Sequence, residues 1–274
     1  MLKTQTIEGL YALRLDAMAQ ALAEQDGSAA YQALSFDERL GLLVDRELTE
    51  RENRRLARYL KAAKLRVPAV VEDLDFRISR GLERPVILGL AECHWVTNHH
   101  GIAIVGPTGT GKTFLACALA NAAIRKGHSA LYLRSPRMLE EIAIARVDGR
   151  FARLMATWAR VDVLVVDDFL LRPLTPDQAA DVLEIVEDRA GLRATIFTSQ
   201  LPIAQWHEAV ADPTLADALL DRISQNLYRI ELHGESMRRQ ETKTDTVTSA
   251  RARSTSSSAR APRVNTANGA AKAK

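Results

Sequence analysis

Cysteine is almost absent from this chain. Cys93 and Cys117 are the two in 274 residues, and no Cys/His cluster has metal-ligand spacing, which argues against a disulfide framework or a structural zinc site. His99 and His100 are neighbours whose side chains point apart, and they read as loop residues. Long apolar runs are also missing. None approaches the roughly 18–20 residues of a membrane span, and the opening Met1-Leu2-Lys3-Thr4-Gln5-Thr6 carries no apolar signal core. A cytoplasmic location with no membrane partner is therefore expected. Net charge is scarce too, at +3, but unevenly placed: from Gln240 to Lys274 seven basic residues face two acidic ones, a net of +5, which leaves −2 for the rest.

What is present describes an ordinary globular protein, 47% hydrophobic and 26% charged, long enough for one large or two modest domains. Residues 240–274 are Ser/Thr/Ala/Arg with almost no large apolar side chain. Such a segment cannot bury enough surface to offset its ordering entropy and is expected to be a disordered basic tail, either a nucleic-acid arm or a solubilising end.

Residues 1–67 read as a small all-helical N-terminal domain. Ile7, Leu10, Tyr11, Met18 and Leu22 have amphipathic spacing over 5–24. Ser35-Phe36-Asp37-Glu38 is a capping box ahead of a second apolar stripe. A further capping pattern, Thr49 to Glu52, is expected to open a helix of its own. At about 100° per residue, Arg51, Arg54, Arg55, Arg58 and Lys61 share one broad stripe, with Leu56, Tyr59, Leu60 and Ala63 opposite. That stripe is either a solvated face, partly neutralised by Glu50 and Glu52, or a surface for DNA phosphates without base selectivity.

The stretch that organises the remainder is Ile102-Ala103-Ile104-Val105-Gly106-Pro107-Thr108-Gly109-Thr110-Gly111-Lys112-Thr113. It fits G-x-x-x-x-G-K-[ST] in full, with a β-branched run before it and a helix-forming segment, Phe114 to Ile124, after it. Gly106, Gly109 and Gly111 permit positive φ and let successive backbone N–H groups turn inward around phosphates. Lys112 is placed to reach the terminal phosphates and Thr113 to sit on Mg²⁺, while the helix N-terminus adds its dipole. The expected cofactors are ATP and Mg²⁺.

Beyond the loop the pattern alternates. Strands are expected at 130–133, 161–166, 194–198 and 227–232, and helices at 136–146, 151–159, 176–189, 203–210 and 215–224. That alternation predicts an α/β fold, a parallel sheet flanked by helices over 68–239, with ligand at the carboxyl ends of the strands. Val163-Leu164-Val165-Val166-Asp167-Asp168 ends one strand in two carboxylates, Asp167 for Mg²⁺ through water and Asp168 to orient or deprotonate the attacking water. Thr198-Ser199-Gln200 ends the next, where a polar side chain is placed to hold that water. Arg222 and Arg238 are candidates for an arginine facing the γ-phosphate, from the same chain or a neighbour.

Taken together, Gly-Pro-Thr-Gly-Thr-Gly-Lys-Thr, Val-Val-Asp-Asp, Thr-Ser-Gln-Leu-Pro, the run from Asp212 to Ile223, and Gly-Glu-Ser-Met-Arg-Arg resemble the IstB-like transposition helper ATPases of the AAA+ superfamily, beside the bacterial helicase loaders. The N-terminal runs 34–47 and 51–56 are similar to that family as well. The resemblance covers about residues 5 to 240. It implies a P-loop NTPase (AAA+) sheet, with Lys112 and Thr113 as Walker A, Asp167 and Asp168 as Walker B, Gln200 with Ser199 as sensor I, Arg222 as an arginine finger acting in trans, and Arg238 as sensor II. The nucleotide is expected to contact Gly106 through Phe114, Ser199 and Arg238.

The function so implied is an ATPase that self-assembles on target DNA and delivers it to a cognate transposase. A helicase loader and a non-hydrolysing ATP-gated scaffold are the competing expectations. A P-loop kinase is disfavoured because no acceptor pocket or lid is visible in the sequence.

Overall fold

A computed structural model describes residues 2–78, 80–234, 236 and 237; the basic tail and Arg238 lie outside the described residues. Helices α1 (Leu2–Ala12), α2 (Asp16–Asp26), α3 (Ala29–Gln32) and α4 (Phe36–Ala63) come first, and α5 (Arg84–Ala91) and α6 (His94–Thr97) lead to the sheet. Strands β1 (Gly101–Val105), β2 (Ala130–Arg134), β3 (Val163–Phe169), β4 (Ala194–Ser199) and β5 (Leu227–Glu231) then alternate with α7 (Lys112–Arg125), α8 (Ser135–Val147), α9 (Phe151–Arg160), α10 (Pro176–Arg189) and α11 (Pro213–Ser224).

The sheet is parallel throughout, in the order β2-β3-β4-β1-β5. Its strands read as near-continuous apolar runs because both faces are covered. Alternation along β1 decides which residue serves which layer. Ile102 and Ile104 pack with α5, α6 and α7 on one face, whereas Ala103 and Val105 pack with α8, α10 and α11 on the other. Among the described residues no helix is long and apolar enough to cross a membrane.

Two expectations for the N-terminal helices are corrected. The stripe over 5–24 is two helices, broken where Arg14 adopts φ 58°. The reason lies outside the segment: Glu47, buried on α4, accepts a hydrogen bond from the Met18 N–H in the first turn of α2 (3.1 Å). A carboxylate at that position satisfies an orphan donor and complements the helix dipole, so α2 begins where α4 can cap it.

Thr49 opens no helix, and α4 runs unbroken for 28 residues. With no Gly or Pro near Thr49, the backbone ladder continues, and Glu47–Arg51 (2.8 Å) and Glu50–Arg54 (3.1 Å) bridge that point at i,i+4 spacing. The Ser35–Glu38 capping box is present as read. The expected helix at 203–210 is instead two short 3₁₀ turns, Ile203–Gln205 and His207–Ala209.

The end of α4 does not stand apart from the sheet domain. Ala63 is buried in the α7-side core, and Leu56 and Tyr59 pack against it.

At the amino edge of the sheet one arginine ties several elements together. Arg189 is 1% exposed. It donates to the carbonyls of Trp158 (2.7 Å), Val161 (2.9 Å) and Ala194 and to the Thr195 hydroxyl (3.0 Å). Arg189→Met keeps the volume but orphans these buried acceptors, and is expected to lower unfolding free energy by about 2–4 kcal/mol. Urea denaturation with an unchanged midpoint would show that the staple contributes nothing.

Candidate nucleotide-binding site

The turn after β1 has the geometry its glycines predict. Gly106, Gly109 and Gly111 take φ of 147°, 88° and 98°. Two of them also have no room for a side chain: a Cβ on Gly106 would stand 2.2 Å from the Leu232 carbonyl oxygen, and one on Gly109 2.1 Å from the Ser236 hydroxyl. α7 starts at Lys112, so its first N–H groups face the hollow of the turn. The Lys112 ammonium folds over the turn and donates to the carbonyls of Gly106 (2.7 Å) and Pro107 (2.8 Å). Burial lowers its pKa, against the opposing pull of Asp168 and Asp167.

The aspartate pair faces this turn from across β4. Asp167 is fully buried, and both its oxygens accept from the Thr113 hydroxyl (2.9 and 3.1 Å). Thr198 donates to it at 2.6 Å and Tyr132 at 2.5 Å, while the Arg66 guanidinium lies 3.6 Å away. Burial first, then the neighbouring carboxylate, pushes the Tyr132 phenol up, so it remains a donor at neutral pH. A regular strand would send consecutive carboxylates to opposite faces. Here the register slips between Val166 and Phe169 and Asp168 takes φ 57°, the signature of a bulge that re-aims side chains. Asp168 thereby lines the cleft, held by Arg134 at the end of β2 (2.8 Å).

The cleft so formed encloses about 430 Å³. Thr108, Gly109, Gly111, Lys112, Thr113, Phe114, Asp168 and Gln200 all line it. A wider groove of about 1070 Å³ between Glu72, Arg84 and Arg125 holds none of these, so size does not mark the site here; convergence of polar groups does.

The hard oxygens of Thr113 and Asp167 suit Mg²⁺, and the glycine turn with Lys112 suits a phosphate chain. The residues present therefore fit a magnesium nucleotide.

Other anticipated residues divide. Gln200 accepts from the Thr108 hydroxyl (2.8 Å) across the mouth of the cleft. Ser199 is buried, donates to the Phe169 carbonyl (2.8 Å) and does not line the cleft; from β4 it is Thr198, one position earlier, whose hydroxyl donates to Asp167. Arg222 lies beside Gly101 and Thr195, where β1 and β4 begin. The P-loop lies at the other end of β1, roughly 16 Å along a five-residue strand, so Arg222 does not reach its own cleft; it pairs with Asp221 (2.8 Å) and Glu187 (3.9 Å). Arg51, Arg54, Arg55, Arg58 and Lys61 are all exposed on α4. Arg51 is tied to Glu47, and Arg54 to Glu50 and Asp16. Arg55, Arg58 and Lys61 have no acidic partner among the described residues.

Arg66, Tyr132 and Arg134 were not anticipated. Arg66 sits just past a helix, and the other two sit on a strand whose neighbour is set by topology, so spacing carries no signal for them.

The sequence profile of the family described as IstB-like ATP binding protein matches residues 9–245. This chain belongs to that family. It is 47% identical over 239 residues to the insertion sequence ATP-binding protein y4pL of Sinorhizobium fredii, covering 87% of this chain and 98% of that one. It is 50% identical over 203 residues to the insertion sequence IS1162 ATP-binding protein of Pseudomonas fluorescens, covering 74% and 88%. Among solved structures it is similar in fold to DnaI, with a TM-score of 0.54 at 23% identity, over 61% of this chain and 92% of that one. The IstB-like chain is thus an ATP-binding protein of insertion-sequence type on a P-loop AAA+ fold.

Asp167 depends on its donors whether or not nucleotide is bound. Tyr132→Phe is expected to lower the stability of the free protein by about 1–2 kcal/mol, read by thermal or urea unfolding; identical transitions would show that the phenol hydroxyl is dispensable.

Proposed function

We propose that this IstB-like protein is an ATPase that assembles as a homo-oligomer on DNA and assists a transposase in moving an insertion sequence. The observation that carries the ATPase reading is the Thr113–Asp167 hydrogen bond, which joins the phosphate turn and the acidic strand end into one cleft with Lys112. Thr113 and Asp167 would hold Mg²⁺, which when bound neutralises charge on the β- and γ-phosphates. Lys112 would leave the Gly106 and Pro107 carbonyls to bind those phosphates. Asp168 would orient the attacking water and accept its proton at Oδ2, the atom now engaged by Arg134, and Gln200 would help to hold that water.

Arg222 supports assembly. Its place at the opposite end of β1 keeps it from its own cleft, so a role at the γ-phosphate would be played in another copy's cleft, where a guanidinium stabilises the charge spread in phosphoryl transfer. Arg238 remains a proposed γ-phosphate contact and lies outside the described residues. DNA contact rests on α4, where Arg55, Arg58 and Lys61 are exposed and lack acidic neighbours among the described residues. The transposase partner rests on the insertion-sequence names of the relatives.

One observation favours a second reading, a scaffold in which ATP gates assembly and is not turned over: Arg134 already occupies the carboxylate of Asp168. A single-turnover assay separates the two, since ADP forms in the first case and none forms in the second.

Lys112→Ala is expected to abolish ATP binding in equilibrium titration. Arg222→Ala is expected to bind ATP normally and lose DNA-stimulated hydrolysis; undiminished turnover would sink the trans role. Reversing charge at Arg55, Arg58 and Lys61 should weaken DNA binding and flatten its dependence on log salt by about 0.9 for each phosphate no longer neutralised. An unchanged slope would return this face to solvent.

A further inference from the structure

Ser199, the last residue of β4, is fully buried and stands where three segments of the site meet. Its carbonyl accepts from the Gly106 N–H (3.2 Å) at the start of the phosphate turn. Its hydroxyl donates to the Phe169 carbonyl (2.8 Å) and accepts from the Leu201 N–H (3.2 Å). Phe169 directly follows Asp168, and Leu201 directly follows Gln200. One oxygen atom therefore bridges the turn that presents Asp168 and the turn that presents Gln200.

The first of these turns needs a brace. Asp168 and Leu170 take φ of 57° and 56° on either side of Phe169, a conformation disfavoured for any residue with a side chain. Two such residues so close together persist only where neighbouring contacts hold them. The register lost at the bulge resumes with Phe169 opposite Ser199, which delivers the hydroxyl to the strained segment.

An aromatic cluster joins the same two turns. The Phe169 ring packs on Phe197 and Trp206 (centroids 4.9 and 5.3 Å apart), and Trp206 Nε1 donates to the Leu201 carbonyl (3.0 Å). Ring packing brings the turns together, and the Ser199 hydroxyl sets how far apart their backbones stand. Asp168 and Gln200 both line the cleft, where the reading above gives them one water to hold between them.

We propose that Ser199 is a positioning residue for hydrolysis, whose hydroxyl sets the spacing of Asp168 and Gln200 while touching neither nucleotide nor water itself. This rests on the ATPase reading above. A hydroxyl suits the task because it donates and accepts at once; alanine does neither, and the thiol of cysteine does both only weakly.

The test uses the full-length chain with Ser199→Ala, Ser199→Cys, Ser199→Thr and Gln200→Ala, and reads ATP affinity by calorimetry, ATP turnover, and amide hydrogen exchange of the free protein. Ser199→Ala is expected to lower kcat about ten- to hundredfold, as small misplacements of reacting groups do. ATP affinity should stay within about twofold, since only the transition state is affected. Exchange should quicken over 168–171 and 200–202 and keep its wild-type rate at the start of α7. Ser199→Thr, which retains the hydroxyl, is expected to recover turnover. In a Gln200→Ala background the loss from Ser199→Ala should shrink, because one of the two spaced groups is gone.

Weaker ATP binding with kcat unchanged would overturn the proposal and make Ser199 a brace for the ground state. Unchanged exchange over both turns would overturn it too, as would the same fold-loss in both backgrounds, the mark of a general structural defect. So would a threonine variant that unfolds like wild type yet is as slow as alanine. Should the alanine variant give no cooperative thermal transition, the cysteine variant carries the same comparison. A wild-type chain that binds ATP and forms no ADP would refute the hydrolysis reading, and the proposal with it.

Discussion

Everything at the cleft turns on one buried carboxyl group and the donors gathered around it. Asp167 has no exposed surface, and buried polar oxygens are costly unless donors reach them. Thr113, Thr198 and Tyr132 supply them from three elements, α7, β4 and β2, and Arg66 adds positive charge from beyond α4. Each donor therefore fixes one neighbour of β3. The same contacts that satisfy its oxygens hold the phosphate turn, the acidic strand end and the connector after α4 in one geometry.

That geometry needs the parallel order of the sheet. β4 lies between β1 and β3, so Thr198 reaches across from the intervening strand, while β2 brings Tyr132 and Arg134 from the far side. The irregularity at Asp168 then separates the roles of two adjacent carboxylates: one is sealed beneath Thr113, and the other is presented to the cleft under Arg134. Strain at a positive φ for a non-glycine residue tends to persist at functional sites, where surrounding contacts over-determine it.

The long helix α4 links this site to the N-terminal region. Its early turns pack with α2 through Glu47, its exposed middle carries the basic stripe, and its last turns enter the core with Ala63. Three residues after Ala63 comes Arg66 at Asp167.

The glycine turn, the lysine, the two carboxylates and the alternation of strands with helices were legible in the chain itself, because each is a local requirement: positive φ, an anion-binding helix start, an apolar run covered on both faces. The Ser35 cap was legible for the same reason. What only tertiary structure decided were the contacts between distant segments. Thr198, not Ser199, meets Asp167 because the register of β4 against the bulged end of β3 sets which hydroxyl points inward. α2 begins at Asp16 because Glu47 caps it from another helix, and α4 runs through Thr49 because nothing there interrupts its ladder. Arg66, Tyr132 and Arg134 carry no motif, and their neighbours are chosen by strand order and by the path of the connector, which local spacing does not encode.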